Sequence, residues 1–197
     1  MSKTKLLMDR ARIPENHRGC LLKNIPNGVE YKQKIVDYIE NIKHHLAHGQ
    51  GLYLWGEYGS GKTGLAAIIC KAALSRGFVP LWVNAERIPS YMCEDIMFSE
   101  DTPMRDRMFS VDILVIDDYR IRDQRAAKSD WIERWLESVI RRRLDDKKVT
   151  IITSNTAPQQ LAKLKAVFSI STEAMEFIEI EGHDFRSETA ASKPQPE

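Results

Sequence analysis

The feature that most constrains this chain is the run at residues 56–63, Gly-Glu-Tyr-Gly-Ser-Gly-Lys-Thr, which fits the pattern G-x-x-x-x-G-K-[ST]. An apolar stretch at 52–55 precedes it as a predicted strand, and a helix is predicted over 62–76 from apolar residues at helical spacing. In a glycine-rich turn between a strand and a helix, backbone N–H groups can wrap a phosphate chain. The run therefore predicts a nucleoside-triphosphate site.

The residue types within this run indicate how the site would work. Lys62 is expected to reach the β- and γ-phosphates and to act in catalysis, and the Thr63 hydroxyl is expected to bind Mg²⁺. The predicted nucleotide-binding residues are Gly56, Glu57, Tyr58, Gly59, Ser60, Gly61, Lys62, Thr63 and Gly64.

A second motif supplies two carboxylates. Residues 112–117 form a predicted buried strand that ends at Asp117 and is followed by Asp118. Asp117 suits Mg²⁺, through a water molecule, and Asp118 stands where a second carboxylate could orient the attacking water in catalysis. Two separate halves of one phosphate-transfer site in one chain argue against a chance match to the glycine-rich run.

Length and composition fit a single domain in the cytoplasm. The chain has 197 residues, of which 43% are apolar, and a net charge of +1, so its overall charge indicates neither a nucleic acid nor a membrane as partner. We expect no membrane association, because no apolar run has the length of a membrane span and residues 1–18 are too polar for a signal peptide. Three scattered cysteines, Cys20, Cys70 and Cys93, are expected to be reduced thiols.

Strands and helices alternate along the chain. The predicted strands are 52–55, 79–84, 112–117, 149–154 and 175–181. The predicted helices are 30–47, 62–76, 130–144 and 156–165, with irregular or broken helix over 85–110. Alternation of this kind, with nearly continuous apolar strands, predicts an α/β fold with a five-stranded parallel sheet covered by helices on both faces.

Three segments follow from this pattern. We predict an N-terminal arm over 1–29, a P-loop ATPase domain over 30–186 and a disordered tail over 187–197, which is small, polar and proline-bearing. Only fifteen residues follow Gly182, so we expect no C-terminal helical lid.

The order of the motifs resembles an AAA+ ATPase, and more narrowly the DnaC/IstB group of helicase loaders and transposition helpers. Three further segments carry the resemblance: the lead-in Arg-Ile-Pro-Glu-Asn-His-Arg at 12–18, the sensor 1 strand Thr-Ile-Ile-Thr-Ser-Asn at 150–155, and the closing Gly-His-Asp-Phe-Arg at 182–186. The resemblance covers about 10–186. It implies that Asn155 is catalytic and contacts the γ-phosphate or the attacking water.

The resemblance also implies what the chain works with. The expected cofactors are ATP and Mg²⁺, and the expected partners are a replicative helicase, single-stranded DNA bound weakly, and further copies of the chain. Two alternatives stay open: an IstB-like transposition helper, and a nucleotide-switched binding module with little hydrolysis. A small-molecule kinase is disfavoured, because nothing after Asn155 resembles an arginine-bearing lid.

The chain departs from the family in its arginines. Members of the family usually carry an arginine that points into a neighbouring subunit's ATP, but residues 165–171 contain none and Ser169 takes its place. Without that arginine, turnover by a homo-oligomer is expected to be slow. The candidates for a trans-acting or sensor arginine are Arg143 and Arg186. For Arg143, a solvated charge at a helix end is an equally good interpretation.

Basic residues near the second motif are candidates for DNA contacts. They are Arg105, Arg107 and the loop at 120–125, although a solvated surface explains that loop equally well. Tyr119 and Arg120 also stand where the family often has a glycine, so the loop is expected to differ in shape.

Overall fold

The computed structural model describes residues 2–93, 103–120, 127–161 and 174–181. In these ranges the strands are β1 Gly51–Trp55, β2 Pro80–Asn84, β3 Ile113–Tyr119, β4 Val149–Ser154 and β5 Met175–Glu179. The helices are α1 Lys3–Arg10, α2 Glu30–Glu40, α3 Ile42–His48, α4 Lys62–Ser75, α5 Ile88–Cys93, α6 Met104–Ser110, α7 Ala127–Asp145 and α8 Pro158–Leu161. Short 3₁₀ turns cover Glu15–His17, Leu22–Asn24 and Ala85–Arg87.

The five strands form one parallel sheet in the order β2-β3-β4-β1-β5. This confirms the predicted α/β fold. Strand β4 lies between β1 and β3, with Trp55 opposite Ser154 on one side and Ile116 opposite Ile152 on the other. The end of β4 therefore stands between the glycine-rich run that follows β1 and the two carboxylates on β3.

Helices cover both faces of the sheet, as the continuous apolar strands predict. Alternate side chains of β1 point to opposite faces of the sheet. Leu52 and Leu54 pack into a core with α2 and α4, and Tyr53 packs into a second core with α6 and α7. None of the helices in the part of the chain that the structure describes is long and apolar enough to cross a membrane.

The first helix after the arm differs from its prediction. The sequence predicts one helix over 30–47, but α2 ends at Glu40 and α3 begins at Ile42. At Asn41 the backbone leaves helical geometry, with φ −94° and ψ +18°. Its side-chain amide donates to the carbonyl of Asp37 at 3.0 Å, and that carbonyl also accepts the regular helical hydrogen bond from the Asn41 N–H. This local competition with the helical ladder is typical of asparagine.

Residues 2–29, called the N-terminal segment below, pack against the rest of the molecule. Ile13 is 1% exposed and lies in the same core as α2 and α4, together with Ala11 and Ile25. The carbonyl of Ala11 accepts from the backbone N–H of Trp82 at 2.8 Å, which occupies part of the outer edge of β2. The segment therefore contributes to the hydrophobic core on this face of the sheet. The predicted tail at 187–197 lies outside the described residues.

Candidate functional site

A cleft of about 930 Å³ opens at the carboxyl ends of β1, β3 and β4. Ligands of parallel α/β sheets bind at this edge. One wall consists of residues 58–65, a second carries Asp117, Asp118 and Asn155, and a third comes from the N-terminal segment. The lining residues from that segment are Asn16, His17, Gly19, Cys20, Leu21, Asn24 and Ile25. The structure thus brings residues 58–64 of the predicted nucleotide-binding run and both predicted carboxylates to one cavity, whereas Gly56 and Glu57 do not line it.

Two glycines set the shape of the glycine-rich loop between β1 and α4. A β-carbon on Gly56, whose φ is +148°, would lie 2.4 Å from the carbonyl oxygen of Ile180, so only glycine lets the loop pass this close to the end of β5. Gly61 has φ +93° and immediately precedes α4. Its left-handed backbone turns the chain into the helix, whose first N–H groups have no acceptor within the helix and can bind an anion.

The side chain of Lys62 lies inside the loop and is 8% exposed. Its ammonium group donates to the carbonyls of Gly56 at 3.0 Å and Glu57 at 2.6 Å, and to the hydroxyl of Ser60 at 3.2 Å. These acceptors are neutral, whereas phosphate oxygens are charged and accept stronger hydrogen bonds. Lys62 is therefore already at the loop and can exchange neutral acceptors for phosphate oxygens.

Three elements meet at the carboxylate of Asp117. Thr63 at the start of α4 donates to its Oδ1 at 3.1 Å, and Thr153 of β4 donates to the same oxygen at 2.6 Å. Burial raises the pKa of Asp117, and the two hydroxyl hydrogen bonds oppose that effect. Carboxylate and hydroxyl oxygens are ligands that suit Mg²⁺, so Thr63 and Asp117 fit the predicted metal-binding role.

Asp118 occupies a β-bulge. The register between β3 and β4 shifts between Ile116 and Tyr119, and Asp118 has φ +58°. In a regular strand consecutive side chains point to opposite faces, yet Asp117 and Asp118 both line the cleft. The hydroxyl of Thr153 accepts the backbone N–H of Asp118 at 3.0 Å. The bulge therefore places both carboxylates at the same cavity.

The carboxylate of Asp118 is bound by a neighbour on its own loop. Arg120 donates to both oxygens, from Nε to Oδ1 at 3.0 Å and from Nη2 to Oδ2 at 2.7 Å. The guanidinium carbon lies 5.5 Å from the ring centroid of Tyr58 in the glycine-rich run. The sequence places Arg120 in a loop that either contacts DNA or is a solvated surface, but in the structure Arg120 lines the cleft.

Asn155 lies directly after β4, between the two motifs, and lines the cleft. Its contact with a γ-phosphate stays a prediction. Asn84, at the end of β2 and opposite Asp117 in the register, also lines the cleft and was not predicted. Thr153 was missed as well. Thr153 is 1% exposed and its hydroxyl binds Asp117 on the neighbouring strand. The sequence signal for it is a threonine near the end of the sensor 1 strand.

Arg143 does not have the predicted role. Its side chain is 0% exposed, so it is neither a solvated charge at a helix end nor able to reach a neighbouring subunit's nucleotide. Its donors bind six acceptors near the amino ends of β3 and β4, and burial lowers its pKa. The acceptors are the Thr150 hydroxyl and the carbonyls of Met108, Phe109, Val111, Asp112 and Val149.

The remaining arginine predictions divide into two groups. Arg107 donates to the carbonyl of Arg10 at 2.8 Å and so holds the N-terminal segment, and Arg105 pairs with its neighbour Asp106 at 3.4 Å. Their predicted contact with DNA stays a prediction. Arg186, the arginine-free stretch at 165–171 with Ser169, and residues 121–125 of the basic loop lie outside the described residues.

Comparison with known proteins gives the context of this site. Curated relatives of two kinds match, and one of each is described. The replicative helicase loader DnaC of Escherichia coli (strain K12) is 26% identical over 169 residues, which are 82% of this chain and 66% of that protein. The chromosomal replication initiator protein DnaA 2 of Protochlamydia amoebophila (strain UWE25) is 27% identical over 110 residues, 56% of this chain and 24% of that protein. The matches therefore span less than two thirds of either relative's length.

Solved structures share the fold. The crystal structure of the DnaC helicase loader superposes with a TM-score of 0.70 at 24% identity, covering 85% of this chain and 99% of that one. The crystal structure of DnaI gives a TM-score of 0.67 at 22% identity, covering 87% and 93%. The family model of the bacterial DnaA ATPase domain matches residues 32–173, more than half of the chain. This chain belongs to the DnaA/DnaC-type family of AAA+ ATPase domains.

Proposed function

We propose that this chain binds and hydrolyses ATP with Mg²⁺ as an accessory protein of DNA replication, and that it loads a replicative helicase onto single-stranded DNA. The observation that carries the ATPase proposal is the convergence of Lys62, Thr63 and Asp117 on one cleft. The likeness to the helicase loader DnaC over 82% of the chain supports the cellular role.

The phosphates of ATP would lie against the backbone N–H groups of the loop and of the first turn of α4. Lys62 would exchange its loop acceptors for the β- and γ-phosphate oxygens. Thr63 and Asp117 would hold Mg²⁺, which supplies positive charge to the phosphates when it is bound. Leu21, Ile25 and Tyr31 give the cleft an apolar wall against which the adenine base can pack.

Asp118 would orient the attacking water, and Asn155 would donate to the γ-phosphate or to that water. Turnover without a partner is expected to be slow, because residues 165–171 supply no arginine to a neighbouring subunit's nucleotide. A second candidate function, a nucleotide-switched binding module with little hydrolysis, is favoured by the bidentate hydrogen bonds of Arg120 to the Asp118 carboxylate.

The proposed partners rest on the relatives and on the basic residues near the second motif. A replicative helicase is the proposed protein partner, and single-stranded DNA would contact Arg105 and the rest of the basic loop, residues 121–125, through its phosphates. Such contacts would weaken with salt, because they release counterions. Association with further copies of the chain would place a neighbouring subunit next to the cleft.

Nucleotide binding and hydrolysis test the first half of the proposal. Lys62→Ala is expected to lose binding of a fluorescent ATP analogue, and Asp118→Asn is expected to bind the analogue but not to release phosphate. Thermal unfolding must accompany both variants, because Lys62 also makes three hydrogen bonds within its own loop. Equal affinity of the wild type and Lys62→Ala for the analogue would contradict the proposal.

The partner is tested by capture from the native host with ATP present. The wild-type chain is the bait, Lys62→Ala is the control, and mass spectrometry identifies what is retained. A replicative helicase retained by the wild type alone supports the loader function. Failure of a purified replicative helicase to bind the ATP-loaded wild type would reject it. If the wild type binds the helicase but its turnover stays at background, the binding-module candidate replaces the ATPase.

A further inference from the structure

The ion pair between Arg120 and Asp118 lies inside the cleft that the proposed function assigns to ATP. Both oxygens of the Asp118 carboxylate accept from the guanidinium, at 3.0 Å and 2.7 Å. A guanidinium that binds both oxygens fixes the direction of the carboxylate and occupies acceptor positions that an attacking water would need. In this arrangement, Asp118 is not free to orient water.

The ion pair between Arg120 and Asp118 is weak enough for Arg120 to leave the carboxylate for another anion. The side chains of Arg120 and Asp118 are 49% and 35% exposed, and ion pairs at this degree of exposure are weak. A phosphate presents the same kind of paired oxygens as a carboxylate and carries more negative charge, so it competes well for a guanidinium. A triphosphate in the cleft would be such a competitor.

Two contacts keep the groups in place during an exchange. The guanidinium of Arg120 lies 5.5 Å from the centre of the Tyr58 ring, so it stays beside the glycine-rich run that would hold the phosphates. The backbone of Asp118 is fixed separately, by the 3.0 Å hydrogen bond from its N–H to Thr153. Arg120 can therefore move to a phosphate while Asp118 keeps its position.

We propose that Arg120 recognises the terminal phosphate of the triphosphate bound by its own chain, and that its transfer from Asp118 to that phosphate frees the carboxylate to orient water. This inference rests on the proposed function. It assigns to a residue of the same chain the arginine that residues 165–171 do not contain. A nucleoside diphosphate would leave Arg120 on Asp118.

In the hydrolysis itself, the water oxygen forms a bond to the γ-phosphorus as the bond to the β,γ-bridging oxygen breaks. The bridging oxygen keeps the electron pair and leaves on the diphosphate. Asp118 accepts a proton from the water and passes it to the released phosphate. Arg120 stabilises the negative charge on the γ-phosphoryl oxygens during this step.

The test compares Arg120→Ala and Arg120→Lys with Arg142→Ala. Arg142 is a matched control, because it also pairs with a carboxylate, Asp146 at 4.0 Å, and lies over an aromatic ring, Phe109 at 4.3 Å, but at the end of α7 remote from the cleft. The measurements are the affinities for ADP and for a non-hydrolysable ATP analogue, and kcat and KM for ATP.

The expected result is selective for the triphosphate. Arg120→Ala should bind the ATP analogue about tenfold more weakly, in line with the loss of charged hydrogen bonds, and bind ADP as the wild type does. Its kcat should fall by about 100-fold or more. Arg120→Lys should recover part of the affinity and less of kcat, because lysine lacks the fork of donors. Arg142→Ala should match the wild type throughout.

Three results would overturn the assignment: equal weakening for ADP and the ATP analogue, unchanged binding and turnover, or a rise in kcat. A rise would mean that Arg120 only restrains Asp118. Lys62→Ala distinguishes this failure from failure of the proposed function. If Lys62→Ala binds nucleotide as the wild type does, the nucleotide site itself is wrong. If it does not bind while Arg120→Ala keeps wild-type properties, only the role of Arg120 is wrong.

Discussion

The hydroxyl of Thr153 donates a 2.6 Å hydrogen bond to the carboxylate of Asp117. The same hydroxyl oxygen accepts the backbone N–H of Asp118 at 3.0 Å. One threonine on β4 thus positions both the proposed metal ligand and the bulge that carries the proposed catalytic carboxylate. Because β4 and β3 are neighbours in the sheet, Thr153 connects the strand of the sensor motif to the strand that carries the two aspartates.

Thr153→Val should therefore weaken Mg²⁺-dependent nucleotide binding. The two side chains have nearly the same shape, but valine neither donates to Asp117 nor accepts from Asp118. We expect a loss of about tenfold in affinity for the Mg²⁺–nucleotide complex, the lower end of what lost support of a metal ligand costs. Titration of the fluorescent ATP analogue at several Mg²⁺ concentrations measures the effect.

Ser154→Ala is the matched control for this substitution. Ser154 is also 1% exposed, and its hydroxyl likewise makes two hydrogen bonds, to the Tyr119 carbonyl and from the Thr156 N–H. It should lower stability without changing the dependence on Mg²⁺. If Thr153→Val keeps the wild-type dependence on Mg²⁺, the Thr153 hydroxyl has only a structural role.

Asp117→Asn should stabilise the nucleotide-free protein at neutral pH. Burial raises the pKa of Asp117, so the folded state holds its proton more strongly than the unfolded state does, and the free energy of unfolding falls as the pH rises through that pKa. Asparagine avoids this penalty and can still accept from Thr63 and Thr153. Thermal unfolding should give a higher Tm for the variant at neutral pH and a smaller difference in acid.

The same variant should lose Mg²⁺-dependent nucleotide binding, because an amide is a weaker ligand for Mg²⁺ than a carboxylate. Stability and binding would then change in opposite directions at one residue. A lower Tm at neutral pH would show that the hydrogen bonds from Thr63 and Thr153 to the charged carboxylate outweigh the cost of its burial.

Much of this site could be predicted because its motifs are short and continuous. The glycine-rich run needs a strand before it and a helix after it, and local apolar spacing indicates both. The shared role of Thr153 could not be predicted with the same ease, since it depends on the register between β3 and β4. The pairing of Arg120 with Asp118 depends on the bulge, whose left-handed residue is an aspartate rather than a glycine.

In the helical regions, too, contacts between residues distant in the sequence could not be predicted. Apolar spacing predicts the long helix α7, but it leaves Arg143 as either a solvated charge at the helix end or a trans-acting or sensor arginine. The guanidinium is buried and donates to the carbonyls of Met108 and Val111, which are distant in the sequence, and to the carbonyl of Val149. Tertiary contacts of this kind leave no periodic signal in the sequence.

Arg143→Met should destabilise the fold strongly. Methionine fills much of the space but donates no hydrogen bond, so buried carbonyls near the ends of β3 and β4 lose their partners. We expect a loss of about 3–5 kcal/mol in the free energy of unfolding, measured by urea denaturation. Arg142→Met, at an exposed neighbour, should change it by less than about 1 kcal/mol. Equal losses in the two variants would contradict the structural role of Arg143.

ATP should protect Cys20 from alkylation, because this thiol belongs to the wall of the cleft that the N-terminal segment supplies. Cys20 is half-buried, and its Sγ would lie 3.2 Å from a β-carbon on Gly64 in the proposed phosphate-binding region. Cys70 is fully buried and burial raises its pKa to about 12, so it should stay unlabelled while the protein is folded.

Labelling with iodoacetamide, followed peptide by peptide in the mass spectrometer, should slow severalfold at Cys20 when ATP and Mg²⁺ are present. Lys62→Ala should show no such protection. Unchanged labelling of Cys20 in wild-type protein saturated with ATP would place the nucleotide away from the N-terminal segment.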